Sequence, residues 1–426
     1  MFFGAATQTY YHHPSPVLLR PIGHEADVAE SLVSVAKSAI PPFHPHPLLR
    51  SGHLQTCAVL IASDKVDIHY KRHVLEAESP DDTGSFSIDV VVPAPLTPEV
   101  DSTPSKKVLL ETDPDYIPPR TTVFTPGEFE AWGSQEETTP IVVALHGLSG
   151  GSHETYVRLS LETLVRSTKD GGLGYDGLVV NARGCGFTKL TSNKMFNAMF
   201  TNDIRQVVKL IRRKFPKRPI MALGFSLGAN ILANYLGEEG ASCPIHAAVL
   251  LSSPHNMDAC AKIMFMTFTG RQYSKFMAGN LKKLFERHYD VLSTNPAIDI
   301  QGVRNSTYLY DYDSACTAPV FGFRTGGEYY RASSSVDRIL DIKVPTLIIN
   351  GADDPISLQN AFPRQEAEAN PYVCFVTTSV GGHLGWFEWG MERWFPKPIM
   401  GFLERMEGME LIEKTDDGFV KVNETA

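Results

Sequence analysis

The stretch Pro219-Ile-Met-Ala-Leu-Gly-Phe-Ser-Leu-Gly-Ala-Asn-Ile-Leu-Ala-Asn-Tyr-Leu236 decides how this chain folds. It contains Gly224-Phe-Ser-Leu-Gly228, a G-x-S-x-G motif, between a short apolar run and a helical pattern. A serine on a sharp strand-to-helix turn holds its hydroxyl above the sheet, beside the helix N-terminus. Glycines on either side leave room for that backbone path and for a closely packed helix. The bare motif recurs by chance. Strand before and helix after make it a nucleophile elbow, with Ser226 as the nucleophile.

On both sides of the elbow, strands alternate with helices. Ile141-Val-Val-Ala-Leu145 reads as a buried strand, 154–167 as a helix and Gly177-Leu-Val-Val180 as a strand. Asp203 to about Phe215 forms an amphipathic helix with a basic outer face, and Ala247-Ala-Val-Leu-Leu251 is another strand. The alternation resumes at Val344-Pro-Thr-Leu-Ile-Ile-Asn350 and Tyr372-Val-Cys-Phe-Val376, with a last helix over about 390–408. This pattern predicts an α/β fold, a mostly parallel central sheet flanked by helices. Residues 65–76 and 85–93 read as a hairpin across Asp81-Asp-Thr-Gly84.

The expected division is an N-terminal arm (1–64), core (65–254), a helical cap inserted at 255–338, core again (339–410) and a flexible tail (411–426). Residues 94–139, rich in Pro, Asp, Glu, Ser and Thr, read as a long surface loop. The cap carries Met257, Met264, Met266, Met277, Phe265, Phe268, Tyr273 and Phe276. Such side chains suit a greasy, adaptable pocket above the carboxyl edge of the sheet, or the core of the inserted helices themselves.

With 426 residues, 43% apolar and 20% charged, the chain can bury a sizeable core. A net charge of −9 argues against nucleic acid as a partner. Six scattered cysteines, without metal-like spacing, read as reduced thiols. The N-terminus lacks the basic and apolar regions of a secretory signal, and no stretch approaches a membrane span. The expectation is a cytoplasmic protein, soluble or held at a membrane or lipid droplet by weaker contacts.

A serine hydroxyl needs a base, and the base needs an orienting carboxylate. In this topology the order is serine, acid, histidine. The acid candidates are Asp353 and Asp354, in Gly351-Ala-Asp-Asp-Pro355 after a strand. Neighbouring side chains diverge in an extended loop, so one alone faces the base. The usual placement three residues after the glycine selects Asp354 and leaves Asp353 as a loop carboxylate. The base is His383, in Gly381-Gly-His-Leu-Gly385 after the last strand. Two backbone N–H groups must meet the oxyanion. Leu227 supplies one, and Leu148, in His146-Gly-Leu-Ser-Gly-Gly151, the other. That glycine run lacks the lysine and spacing of a nucleotide cradle. Arg183 either binds an anionic group or pairs with a helix carboxylate. Cys185 has no histidine placed for it by chain order and reads as a buried thiol. The mechanism requires no metal and no cofactor.

Several stretches resemble the α/β-hydrolase family that includes fungal medium-chain fatty acid ethyl ester synthase/esterases and related monoacylglycerol lipases. They are His146-Gly-Leu-Ser-Gly-Gly-Ser-His-Glu154, Asn181-Ala-Arg-Gly-Cys185 with Asn202-Asp-Ile-Arg205, and Ala233-Asn-Tyr-Leu-Gly-Glu-Glu-Gly240. Others are Thr317-Ala-Pro-Val-Phe-Gly-Phe323 with Glu328-Tyr-Tyr330, Val344-Pro-Thr-Leu-Ile-Ile-Asn350, Gly381-Gly-His-Leu384, and Pro42-Phe43 with Ser51-Gly-His-Leu-Gln-Thr56. The resemblance spans roughly 40–405 and puts the family's catalytic residues at Ser226, Asp354 and His383. It implies medium-chain acyl groups, taken from acyl esters or acyl-CoA and passed to water or an ethanol-like alcohol. A dedicated esterase of secondary metabolism and a non-catalytic hydrolase-fold binding protein are the rival expectations.

Overall fold

Ile141–Leu145 (β7), Asp176–Asn181 (β8), Ile220–Phe225 (β9), Ile245–Leu251 (β10), Thr346–Gly351 (β11) and Val373–Thr378 (β12) are dominated by Val, Ile, Leu and Ala. Runs without polar alternation suit strands covered on both faces. In this computed structural model, which describes residues 4–24, 28–62, 66–78, 82–94, 116–415 and 418–421, the six strands pair in parallel. The pleat sends Val143, Ala222, Leu250 and Ile348 to one face and Val142, Leu223, Val249 and Leu347 to the other, each into its own core layer.

Four further strands extend this sheet. They are Gln8–Tyr11 (β1), His69–Glu76 (β4), Ser85–Val92 (β5) and Thr121–Val123 (β6). The order is β1-β12-β11-β10-β9-β7-β8-β5-β4-β6. The hairpin expected over 65–76 and 85–93 is β4 and β5, paired antiparallel. Chain reversal in strand order at β7 and β9 puts the elbow after β9 near the centre of the sheet.

The N-terminal region is more built than a wrapped arm. Strand β1 caps one sheet edge, antiparallel to β12. Helix Leu32–Ala39 is capped by the Ser31 hydroxyl, and helix Gly52–Ile61 by that of Ser51. Within the expected flexible tail 411–426, the described residues 411–415 and 418–421 are strand, and the others lie outside the described residues. Met409–Thr415 (β13) pairs with Leu18–Pro21 (β2) on one side and Gly418–Lys421 (β14) on the other. Glu30–Ser31 (β3) completes this small second sheet. Its strands have few residues each, so long-range pairing supplies what local pattern does not.

Residues 95–115 of the loop expected over 94–139 lie outside the described residues. Its described part holds β6 and a short helix, Pro126–Ala131, whose capping box joins Thr125 and Glu128. The last helix is Pro396–Met406, shorter than expected because Pro396 and Pro398 suit only a first turn. Between 255 and 338 lie helices including Met257–Met266, Phe268–Arg287, Leu309–Ala315 and Gly326–Ser333.

Candidate active site

Ser226 joins β9 to the helix Leu227–Glu239 with φ 52° and ψ −118°. That is a region glycine visits freely and other residues only at a cost of roughly 1–3 kcal/mol. The turn is held from β10, because the Ser226 N–H donates to the Leu251 carbonyl at 2.9 Å. The two motif glycines answer a packing need. A Cβ on Gly224 would lie 2.6 Å from Ala229 Cα, and one on Gly228 2.4 Å from the His146 carbonyl oxygen. The helix therefore sits directly against the end of β7.

Ser226, Asp354 and His383, far apart in the chain, come together at the carboxyl ends of β9, β11 and β12. The His383 ring lies between the other two: Nε2 is 2.9 Å from Ser226 Oγ and Nδ1 2.9 Å from Asp354 Oδ2. A carboxylate accepts only, so Nδ1–H donates to Asp354 and Nε2 is left to accept from the serine. Asp354 is 2% exposed, and its Oδ1 accepts from the Ile356 and Ser357 N–H groups at 2.8 and 2.9 Å. Asp353 points elsewhere. Its Oδ1 accepts from the Gly382 N–H at 2.9 Å, tying the acid loop to the histidine loop. Burial pushes its carboxyl above the usual range, against the backbone donors that lower it.

Leu227 opens its helix, where first-turn N–H groups lack an intrahelical acceptor. Leu148 lines the same pocket as Ser226 and Leu227. The Gly147 N–H is already engaged, donating to Tyr156 Oη at 2.9 Å. His146 shapes this loop as a neutral side chain. Its Nε2 accepts from the Ala182 N–H at 3.1 Å, and Nδ1–H donates to the Gly147 carbonyl at 2.7 Å. Burial pulls its pKa down to about 4.

Ser226 opens into a pocket roofed by the helices of 257–333. Met195, Met257, Met264, Met277 and Leu281 give it an apolar lining. Tyr273, Phe265 and Phe268 are not part of it; the last two face outward. Arg183 is buried and pairs with Asp82 and with Asp203 of the helix Asn202–Lys214, each at 2.9 Å. No hydrogen-bonding capacity is left for an anion, so its pairing is structural. Cys185 is a fully buried thiol, pushed up by that burial.

Four residues that sequence pattern does not single out also shape the site. Thr56 Oγ1 accepts from the His383 N–H at 2.9 Å, and Ser252 Oγ from the Leu384 N–H at 3.2 Å. Tyr156 holds Gly147, as described. Asp313 lines the pocket and accepts from Thr317 Oγ1 and Tyr330 Oη, both at 2.7 Å. Thr56 lies in the family-like stretch Ser51-Gly-His-Leu-Gln-Thr56, which by itself assigns it no role.

Residues 140–388 match the family described as alpha/beta hydrolase fold. The chain belongs to that family. Monoacylglycerol lipase of Saccharomyces cerevisiae is 32% identical over 373 residues, covering 84% of this chain and 79% of the relative. Medium-chain fatty acid ethyl ester synthase/esterase 2 of the same organism is 31% identical over 394 residues, covering 85% of each. Phospholipase ABHD3 of Bos taurus is 31% identical over 251 residues, covering 59% of each. This alpha/beta hydrolase is an enzyme of the esterase and lipase type. Among its described residues no helix is long and apolar enough to cross a membrane.

Proposed function

We propose that this alpha/beta hydrolase transfers acyl groups through an acyl-serine, taking them from carboxylic esters or thioesters. One observation carries the proposal: the His383 ring joins Ser226 Oγ and Asp354 Oδ2 at 2.9 Å each, where the serine opens into an apolar pocket. Ser226 Oγ attacks the carbonyl carbon while its proton passes to His383 Nε2. Asp354 holds the imidazolium that forms. The developing oxyanion meets the Leu227 and Leu148 N–H groups. As the tetrahedral adduct collapses, the leaving alkoxide or thiolate takes the proton from Nε2. Water or an alcohol then attacks the acyl-serine with His383 as base, giving an acid or a new ester.

Hydrolysis and ester synthesis share this intermediate, and a dry pocket favours an alcohol over water. The names of the two yeast relatives support monoacylglycerols and medium-chain ethyl esters as substrate and product classes. The apolar lining favours acyl chains over charged groups. Acyl-CoA as donor and contact with a lipid surface belong to the same proposal. A fluorophosphonate probe should label the wild type and leave Ser226→Ala unlabelled; equal labelling removes this serine from the chemistry. Product analysis with octanoyl esters, with and without ethanol, reads the partition. An unchanged acid yield and no ethyl ester would restrict the activity to hydrolysis.

A further inference from the structure

The outer side of the roof carries a surface that the acyl chemistry does not use. Helices Met257–Met266 and Phe268–Arg287 form a hairpin. Its tip is apolar and exposed: Phe265 56%, Met266 78% and Phe268 69%. Phe276, farther along the second helix, is 51% exposed. Between Asp258 and Glu286 the chain has five basic residues (Lys262, Arg271, Lys275, Lys282 and Lys283) and no acidic one, although its net charge is −9. The two bordering acids are occupied. Asp258 pairs with Lys262 at 2.5 Å and Glu286 with Arg304 at 3.0 Å. Lys275 and Lys283 are exposed and have no carboxylate partner among the described residues. They share the outer face with Phe268, opposite the buried Gly270, Ser274, Ala278 and Leu281. The surface continues across the contact between His53 and Tyr273 Oη (3.1 Å) to helix Gly52–Ile61, where Leu54, Leu60 and Ile61 are exposed.

We propose that this hairpin docks the protein on an anionic phospholipid surface. The tip side chains enter the interface, and the lysines meet headgroup phosphates. An apolar tip by itself would suit any hydrophobic partner. The local excess of cations, in a chain whose net charge is −9, suits this face to a negatively charged surface. Basic residues on one face with Phe and Met beside them are the composition of an interfacial helix. Met264 and Met277 of the same hairpin line the pocket. Lipid and pocket are thus separated by one helix diameter, about 10 Å. The docking stands on exposure and charge; its link to turnover rests on the proposed acyl chemistry.

The test uses the full-length protein and cosedimentation with vesicles of phosphatidylcholine, with or without phosphatidylserine. Binding is expected to the anionic vesicles, to weaken as salt is raised, and to be weak on the neutral ones. Lys275→Glu with Lys283→Glu should lower binding about thirtyfold or more. Met266→Ser with Phe268→Ser should lower it about tenfold or more. Both variants should hydrolyse a dissolved p-nitrophenyl butyrate within about twofold of wild type, which establishes that they fold. Turnover of a long-chain ester embedded in anionic vesicles should fall with binding. Undiminished vesicle binding by the lysine variant overturns the proposal, as does equal binding to neutral vesicles. So does a dimer in sedimentation velocity that the same substitutions dissociate, because a second copy would then cover the face. If vesicles bind as expected and no ester is cleaved by wild type, docking stands and the acyl chemistry fails.

Discussion

At the scale of single residues, the two neighbouring carboxylates have separate tasks. Asp354 Oδ2 faces the histidine ring, whereas Asp353 Oδ1 holds the Gly382 N–H. Asp354→Asn keeps the shape but stabilises the wrong tautomer, so kcat should fall about 10³–10⁴-fold. Asp353→Asn should cost far less in kcat and should lower the melting temperature instead. Equal losses of kcat in the two variants would reverse the assignment. Ser226 offers a second check. Its φ of 52° burdens any side chain with a Cβ. Ser226→Gly should therefore melt higher than Ser226→Ala, both being inactive. The order serine, acid, histidine and the flanking glycines were legible in sequence, because chemistry restricts those residue types. Thr56 and Ser252 were not, since a hydroxyl that receives one backbone N–H leaves no distinctive pattern around it.

At the scale of elements, the elbow helix and the end of β7 meet backbone to backbone. Gly228→Ala forces a methyl to within 2.4 Å of the His146 carbonyl oxygen. The helix must shift, at about 1–3 kcal/mol. A lower melting temperature and a reduced kcat are expected together, since Leu227 moves with the helix; an unchanged kcat would separate the oxyanion from this packing. In the roof, Asp313 ties Leu309–Ala315 to Thr317 and to Tyr330 of Gly326–Ser333. Burial pushes its carboxyl from 3.8 up to about 6, against the hydrogen bonds from Thr317 and Tyr330. Between pH about 4 and about 6 the folded state keeps a proton that the unfolded chain releases. This group's contribution to stability falls as pH rises through that window, and the full penalty applies above it. Asp313→Asn should show a smaller drop in melting temperature than wild type between those pH values; parallel curves would refute it. Strands β7 to β12 were legible because burial on both faces leaves an unbroken apolar run. The helix Gly52–Ile61 was not: its apolar residues are spread around the axis, and Leu54 and Ile61 face solvent.

At the scale of the whole molecule, distant segments complete the site. Helix Gly52–Ile61 reaches the histidine loop through Thr56, and the Gly52 carbonyl lies where a Cβ on Gly382 would be, at 2.5 Å. Thr56→Val preserves shape and strands the His383 N–H, costing about 1–3 kcal/mol. A kcat loss of about tenfold or more is expected with the fold retained by circular dichroism; full activity would make that contact merely architectural. None of this was visible in the N-terminal composition, because a four-residue strand and a weakly patterned helix acquire meaning only from partners hundreds of residues away.

Those pairings also order events in time. Strand β1 needs β12, and β2 needs β13. Strand β1 thus waits for its sheet neighbour until Val373–Thr378 has been synthesised, and β2 for one of its two until Met409–Thr415 has been. During that interval Gln8–Tyr11 is an unpaired β segment and Leu18–Pro21 has only the two-residue β3 beside it, which is a reason for a chaperone to attend this segment of the nascent chain.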